Sequence, residues 1–257
     1  MTRSRARSKQ VTDFRRYLSE LTEDGRAPAD RPVVAYFDLD RTLIGGYSIT
    51  ALALTKMWSG SLSPKKIFVH AGIFLHWGLG RSDYHQLLES TVGGLVGMSE
   101  AEMAELGELA FERRIRPIIY LEGRQLIDAH KALGHEVVIV TSASRYQVDP
   151  IARELGVDQY YCTELEIEHG LITGNVTPCY GPGKKKAADV HAAFRSADLQ
   201  DAFFYTDSCE DLPLLEEVGR PVAVNAKTSL ARVASERGWL QLAFEVQGRA
   251  QPATRAA

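Results

Sequence analysis

Short apolar runs alternate with helical periodicity along most of the chain. Apolar runs rich in β-branched and aromatic residues predict strands at 33–37, 137–140, 202–205 and 222–224. Amphipathic periodicity predicts helices near 11–21, 123–133 and 148–155, from about 184, and near 212–218. Apolar strands that alternate with helices form a parallel sheet that is covered on both faces. The pattern therefore predicts a doubly wound, Rossmann-like α/β core.

A mostly helical insertion interrupts this alternation after the first strand. Residues 48–115 carry helical periodicity, and no strong strand pattern interrupts them. Between 160 and 178 we expect a short strand and a hairpin, with Gly170 and Gly174 as turn residues. The predicted parts of the chain are an N-terminal arm and helix at 1–31, the core at 32–46 and 118–243, a helical cap at 47–117 and a tail at 244–257.

Composition narrows the possible functions. The chain carries 30 Lys and Arg against 33 Asp and Glu, so its charge gives no reason to expect a nucleic-acid partner. Its three cysteines lack a Cys-x-x-Cys spacing, which argues against a disulfide framework and a structural zinc site and favours the cytoplasm. The basic segment 1–10 lacks the apolar stretch of a secretory signal, and the most apolar segment, 67–79, is too short to cross a bilayer. No transmembrane segment is expected.

Polar residues come directly after three of the predicted strands. Ligands bind beyond the carboxyl ends of the strands in such a sheet, so these residues are expected to meet at one edge. Carboxylates gathered in one crevice repel one another unless a cation neutralises them, and an all-oxygen cluster suits Mg²⁺. The residues concerned are Asp38 and Asp40, then Thr141 and Ser142, then Asp207 and Asp211.

Hydroxyl and ammonium groups among the candidate residues could bind the oxygens of a phosphate. Phosphoryl transfer requires positioning and charge stabilisation, which hydroxyl and ammonium groups supply. A carboxylate held in line can attack phosphorus while a second, protonated carboxyl donates to the leaving oxygen, and Asp38 and Asp40 suit these roles. The candidate phosphate-binding groups are the hydroxyls of Thr141 or Ser142 and the ammonium of Lys184, Lys185 or Lys186.

Four motifs in order resemble those of the haloacid dehalogenase superfamily. They are FDLDRTL after the first strand, VVIVT ending at Thr141, GPGKKKAAD at a helix start, and FFYTDSCED ending at Asp211. The insertion between the first two motifs resembles the cap of the phosphoserine phosphatase-like subfamily, IB. The segments VDPIARELG, DLPLLEEVGRPVAVN and ERGWL strengthen this closer resemblance.

The resemblance implies that the protein is an Mg²⁺-dependent phosphatase that forms an aspartyl-phosphate. It also implies a role for each motif residue. Asp38 would be nucleophile and metal ligand, and Asp40 would be general acid and base with its carbonyl on the metal. Asp207 would bind the metal, with Asp211 and Thr42 supporting the site. Thr141 is favoured over Ser142 as the hydroxyl donor, with Ser142 offering its backbone amide, and Lys184 is favoured over the two lysines that follow it.

Three alternatives stay open on the sequence alone. A receiver-type phospho-acceptor module also gathers aspartates, a hydroxyl and a lysine around Mg²⁺, but it needs no helical insertion. A non-catalytic binding module would have little reason to keep Asp40. The third alternative is a phosphoserine phosphatase proper. That family places a Glu where this chain has Tyr47, and it places an Arg in the cap, whereas no Arg is evident near 89–92 of this chain.

The substrate expected from these departures is a small or amphiphilic phosphate ester. Without Glu at position 47, the ammonium of phosphoserine would lose its partner, and burying an unpaired charge is costly. We interpret the apolar segment 67–79 as a helix in the cap core. Contact with an amphiphilic substrate or peripheral contact with a membrane is its alternative role.

Overall fold

The computed structural model describes residues 11–24, 31–58 and 92–248. The strands are β1 (Val34–Phe37), β2 (Glu136–Ser144), β3 (Gln159–Glu168), β4 (Leu171–Thr177), β5 (Phe203–Thr206), β6 (Arg220–Val224) and β7 (Leu240–Leu242). The α-helices are α1 (Phe14–Asp24), α2 (Ser48–Trp58), α3 (Glu100–Ala110), α4 (Leu121–Ala132), α5 (Arg145–Leu155), α6 (Pro182–Arg195), α7 (Leu212–Leu215) and α8 (Thr228–Arg237). None of these helices is long and apolar enough to cross a bilayer.

The strands form one seven-stranded sheet in the order β4-β3-β2-β1-β5-β6-β7. All neighbours pair in parallel except β4, which runs antiparallel to β3 and closes the predicted hairpin. The chain winds from β1 to β2 on one side and later to β5 on the other. The carboxyl end of β1 therefore lies at a topological switch point, which is where such sheets bind ligands. The doubly wound, Rossmann-like fold predicted from the sequence is confirmed.

Both faces of the sheet are buried, which explains why β1 reads as an unbroken apolar run. Successive side chains of a strand point to opposite faces. Phe37 lies in the core that β1 forms with α1, α4 and α5, and its ring stacks on Tyr205 with centroids 4.5 Å apart. Tyr36 and Phe204 lie in the core on the opposite face, together with side chains of α6, α7 and α8.

The described part of the predicted cap packs on α5 and on the hairpin. A third apolar cluster joins Leu52 of α2 and Met103 of α3 to Tyr146 of α5 and Ile172 of β4. A Cβ atom at Gly107 would lie 2.1 Å from the carbonyl oxygen of Tyr146, so only glycine lets α3 approach α5 this closely. The apolar segment 67–79, and residues 89–91 of the stretch without an arginine, lie outside the described residues. The cap boundaries stay a prediction.

Several elements differ from the sequence expectation. Strand β2 continues past 140 to Ser144 because Ser144 still pairs with Thr163 of β3, and α5 begins directly after it. Gly170 lies at the hairpin turn as predicted, but Gly174 lies inside β4 with φ 105°. Helix α7 ends at Leu215 and is shorter than the predicted 212–218.

The termini of the described chain also contribute to the core. Phe244 is buried, and its ring meets Phe14 of α1 edge-on with centroids 5.5 Å apart. The Val246 carbonyl accepts a hydrogen bond from the Leu121 backbone amide. Residues 244–248, which the sequence assigned to a tail, therefore pack against the core.

Candidate active site

The first motif residue follows β1 without a break. The Asp38 backbone amide donates to the carbonyl oxygen of Tyr205 on β5, 2.9 Å away, and so extends the ladder between the two strands. This pairing fixes the side chain of Asp38 at the carboxyl edge of the sheet, where the residue is only 6% exposed. The edge of β5 and the edge of β1 therefore share one cleft.

A tight turn carries the second aspartate back toward that cleft. The Leu39 carbonyl accepts hydrogen bonds from the backbone amides of Thr42, Leu43 and Ile44, and Arg41 adopts a left-handed φ of 62° within the turn. The Asp40 carboxylate accepts a hydrogen bond from the Ser48 amide at 2.7 Å. The Thr42 hydroxyl is buried and has no hydrogen-bond partner among the described residues, so its supporting role stays a prediction.

Lys184 bridges two of the carboxylates. Its Nζ donates to Asp38 Oδ1 at 2.6 Å and to Asp211 Oδ2 at 2.8 Å. Asp211 Oδ2 also accepts from the Thr206 hydroxyl at 2.5 Å. The start of α6 can bring Lys184 this close because Gly183 packs on the Pro178 carbonyl, where a Cβ atom would lie 2.6 Å away.

The two lysines that follow Lys184 point elsewhere. Lys185 pairs with Asp189 and Glu217 at the surface, and Lys186 is exposed. Lys184 is therefore the lysine of the three that reaches the predicted nucleophile. Burial acts to lower the pKa of Lys184, but the nearby charges of Asp211 and Asp38 outweigh burial and raise it.

Asp207 is held by two cations that the sequence analysis did not select. Arg41 Nε donates to Asp207 Oδ2 at 2.7 Å, and Lys227 Nζ lies 3.9 Å from the same oxygen. The Lys227 backbone amide donates to the Asp207 carbonyl at 2.9 Å. Lys227 follows the carboxyl end of β6, so the rule that selected the other strand-end residues could also have found it. Arg41 lies inside the first motif, but nothing in its spacing indicates an ion pair with Asp207.

The end of β2 presents Ser142 to the cleft, whereas Thr141 lies beneath it. Thr141 is fully buried, and its hydroxyl oxygen accepts a hydrogen bond from the Ala143 amide at 3.1 Å. Ser142 lines the cleft, together with Ser144. The structure therefore brings Ser142 nearer to open space than the favoured Thr141, and the choice of hydroxyl donor stays a prediction.

The electrostatics of the cleft favour a bound cation. Burial raises the pKa of Asp38 to about 7, Lys184 opposes this shift, and the negative charges of Asp211 and Asp207 add to it. Burial also raises the pKa of Asp207. A divalent cation would reverse these shifts by favouring the ionised carboxylates.

The predicted metal ligands are two carboxylates and one main-chain carbonyl. This all-oxygen set suits Mg²⁺, which commonly binds through one or two carboxylates while keeping several waters. Within the described ranges, no group of three or more His, Cys, Asp or Glu side chains is arranged to hold a metal ion. The expected Mg²⁺ site does not need such a group, because it contains only two of these side chains, those of Asp38 and Asp207. Its donors are all oxygens, so the residues present fit Mg²⁺.

The general acid candidate differs from an ordinary aspartate. Burial raises the pKa of Asp40 to about 6, and hydrogen bonds from the backbone and side chain of Ser48 oppose that shift. A carboxyl with a pKa near neutrality can hold a proton and also release it. Asp40 therefore has the protonation behaviour that a group acting in turn as acid and base requires.

The opposite wall of the cleft is apolar. Charged residues lie where the cleft meets the sheet, and the described residues from the cap and hairpin add an apolar wall. The large apolar residues of the described lining are Ile49, Leu52, Val92, Leu95, Met103 and Leu165. Tyr47 lies beside the charged end, where its ring centroid is 5.9 Å from Arg41 Cζ. The cleft thus offers a charged end for an anion and an apolar end for the group attached to it.

Comparison with known proteins identifies the family of the chain. The haloacid dehalogenase-like hydrolase family matches residues 35–216. A probable phosphatase of Mycobacterium tuberculosis (strain ATCC 25618 / H37Rv) is 33% identical over 227 residues, which cover 87% of this chain and 79% of that protein. A histidinol-phosphatase of Neisseria meningitidis serogroup C (strain 8013) is 31% identical over 219 residues, which cover 82% of this chain and 99% of that protein.

Solved structures share the fold. A phosphoserine phosphatase, determined as an analogue of its phospho-aspartyl intermediate, superposes with a TM-score of 0.62 at 20% identity, covering 85% of this chain and 96% of that one. These matches favour a phosphatase over a receiver-type module. The chain belongs to the haloacid dehalogenase-like hydrolases and is a phosphatase with the fold of a phosphoserine phosphatase.

Proposed function

We propose that the protein is an Mg²⁺-dependent phosphate monoester hydrolase in which Asp38 is the nucleophile. The observation that carries this proposal is the buried contact of 2.6 Å between Asp38 Oδ1 and Lys184 Nζ. A second carboxyl, that of Asp40, lies in the turn that directly follows Asp38. A buried carboxylate fixed beside an ammonium and a proton donor has the parts needed for nucleophilic attack on a phosphate.

In the first step, a carboxylate oxygen of Asp38 forms a bond to phosphorus and the bond from phosphorus to the ester oxygen breaks. Asp40, in its protonated form, gives its proton to the departing oxygen, which leaves as an alcohol. Lys184 offsets the negative charge that gathers on the phosphoryl oxygens. Hydrogen-bond donors at the end of β2, from Thr141 and Ser142, orient the same oxygens.

In the second step, water attacks the phosphorus of the aspartyl-phosphate. Asp40, now ionised, takes a proton from that water, and the bond from phosphorus to Asp38 breaks. Inorganic phosphate leaves, the Asp38 carboxylate is restored, and Asp40 is again protonated. One residue therefore serves both steps, which matches a carboxyl whose pKa is about 6.

The carboxylates of Asp38 and Asp207 and the carbonyl of Asp40 would hold Mg²⁺. When bound, the ion neutralises part of the negative charge of carboxylates and phosphate. Asp211 supports the site by fixing Lys184, and Thr42 supports the turn.

We also place the protein in the cytoplasm because of its cysteine content. A peripheral membrane contact through 67–79 stays a prediction from the sequence.

For the substrate, we propose a phosphate ester whose leaving group is uncharged or amphiphilic. The support is the apolar wall of the cleft, together with Tyr47 at the position where phosphoserine phosphatases carry the Glu that pairs with the substrate ammonium. A charged amine or carboxylate packed against that wall would be desolvated without a charged partner among the described residues of the wall, which costs several kcal/mol. Hydrolysis of phosphoserine is the alternative, since relatives of this kind include phosphoserine phosphatases.

A substrate panel tests the proposal. We would measure kcat/KM with Mg²⁺ for 2-phenylethyl phosphate, glycerol phosphates, lysophosphatidate, histidinol phosphate and phosphoserine. The expected order places the esters with apolar leaving groups ahead of phosphoserine. A clear advantage for phosphoserine would overturn the substrate assignment, and sustained turnover of none of these esters would overturn the proposed hydrolysis of small esters.

A further inference from the structure

A buried chain of hydrogen bonds leads away from the proposed acid. The Ser48 amide donates to Asp40 Oδ1 at 2.7 Å, and Gln147 Nε2 donates to the Ser48 hydroxyl at 2.8 Å. Gln147 Oε1 accepts from both the backbone amide and the hydroxyl of Ser144, each at 2.9 Å. Ser48 is fully buried, and Gln147 and Ser144 are 3% and 7% exposed.

The direction of these hydrogen bonds follows from the chemistry of their ends. The Ser144 backbone amide can only donate, so the atom of Gln147 that faces it must be the carbonyl oxygen Oε1. The amide nitrogen of Gln147 then faces Ser48 and donates to its hydroxyl oxygen. A hydroxyl that accepts a hydrogen bond keeps its own proton for donation, and a hydrogen bond from the Ser48 side chain is among the interactions that oppose the rise in the pKa of Asp40.

The chain of hydrogen bonds joins three parts of the fold. Asp40 lies in the turn after β1, Ser48 begins helix α2 of the predicted cap, and Gln147 lies in the first turn of α5 directly after β2. The acid is therefore tied both to the point where the cap begins and to the strand that carries Ser142. These residues belong to no motif used so far.

We propose that Ser48 and Gln147 are positioning residues that fix the Asp40 carboxyl for proton transfer to the leaving group. The proposal rests on the proposed function, in which Asp40 is the acid. Asp40 Oδ1 is occupied by the Ser48 amide, so in the protonated acid the proton resides on Oδ2. The Ser48 hydroxyl, oriented by Gln147, restricts rotation of this carboxyl. Without it, the carboxyl adopts other orientations and transfers its proton less efficiently.

Leaving-group dependence tests this proposal. The phenolate of 4-nitrophenyl phosphate departs without protonation, whereas the alkoxide of 2-phenylethyl phosphate requires an acid. We would measure kcat/KM on both esters for Ser48→Ala, Gln147→Met and the double variant. Each single variant should lose about ten-fold more activity on the alkyl ester than on the aryl ester, the scale of one hydrogen bond to the carboxylate charge that develops as the proton leaves Asp40. The double variant should lose no more than the worse single variant, because both act through one hydroxyl.

A matched control exists elsewhere in the chain. Gln241 is 8% exposed, and its Nε2 donates to the Ser235 hydroxyl at 2.9 Å, so Gln241→Met removes a similar hydrogen bond on the edge strand β7, three strands from β1. This variant should keep the wild-type ratio of the two kcat/KM values. Thermal unfolding would establish that each variant folds. Should Gln147→Met not fold, Ser48→Ala carries the test alone by the same ratio.

The outcomes separate this proposal from the function on which it rests. An equal loss on both esters, no loss on either, or additive losses in the double variant would overturn the positioning role of Ser48 and Gln147. Absence of turnover by the wild-type protein on both esters would instead overturn the proposed hydrolysis.

Discussion

Replacement of Lys184 by Met removes the cation that two buried carboxylates share. The Lys184 ammonium lies 2.6 Å from Asp38 and 2.8 Å from Asp211, and the three side chains are 4%, 8% and 3% exposed. Breaking a buried ion pair by removing one partner costs about 3–5 kcal/mol, because the other charge stays buried without compensation. Lys184→Met should lower the free energy of unfolding in EDTA by an amount in this range. Mg²⁺ should reduce the loss, since the ion would again neutralise Asp38.

The same variant should lower kcat/KM for 4-nitrophenyl phosphate by about 10²-fold or more, the scale of a lost preorganised donor. Lys185→Met is the matched control, because Lys185 forms only surface ion pairs with Asp189 and Glu217. Urea unfolding with and without Mg²⁺, and steady-state kinetics, should leave this control close to wild type. A fully stable Lys184→Met with near-normal kcat/KM, or greater damage from Lys185→Met, would show that the buried ion pairs of Lys184 contribute neither to stability nor to turnover as proposed.

Three further predictions concern the metal, the pH response and the cap. EDTA should remove activity and Mg²⁺ restore it, and Asp207→Asn should raise the Mg²⁺ concentration needed for half-maximal activity; full activity in metal-free buffer would contradict this. Burial lowers the pKa of His130 to about 3, so the native state loses stability as pH falls below about 6.5. In urea unfolding, the free energy of unfolding of the wild type minus that of His130→Gln should fall by ~1.4 kcal/mol per pH unit from pH ~6 to ~4, and a pH-independent difference would contradict this. Gly107→Ala should destabilise the protein by about 1–3 kcal/mol in the same assay, because its Cβ would meet the Tyr146 carbonyl, and a neutral effect would show that α3 can move away.

The core of the fold was predictable because its signals are local. A strand buried on both faces, such as β1, reads as a continuous apolar run, and the polar residues directly after it mark the edge where ligands bind. The positions of Asp38, Asp40 and Asp207 in one cleft followed from this rule together with the motif spacing. Lys184 was separated from its two neighbours by its position after a Gly-Pro-Gly segment.

Other features depend on tertiary contacts that no local pattern specifies. The ion pair between Arg41 and Asp207 requires β1 and β5 to be neighbours, and the approach of Lys227 requires β6 beside β5. Helix α5 begins earlier than predicted, although Ser144 and Gln147 form the capping-box pattern that marks a helix start. Gly174 lies inside β4 and not at a turn, although glycine is depleted in strands and common in turns.

The central claim is that Asp38 becomes phosphorylated during turnover. Its most direct test is rapid acid quenching of the protein during reaction with 4-nitrophenyl phosphate and Mg²⁺, followed by peptide mass spectrometry. The Asp40→Asn variant aids detection, because the water that attacks the intermediate has lost its base and the adduct should accumulate. We expect a phosphate adduct on Asp38 in that variant, and neither adduct nor turnover in Asp38→Asn. Near-normal hydrolysis by Asp38→Asn, or an adduct on another residue, would show that Asp38 is not the nucleophile.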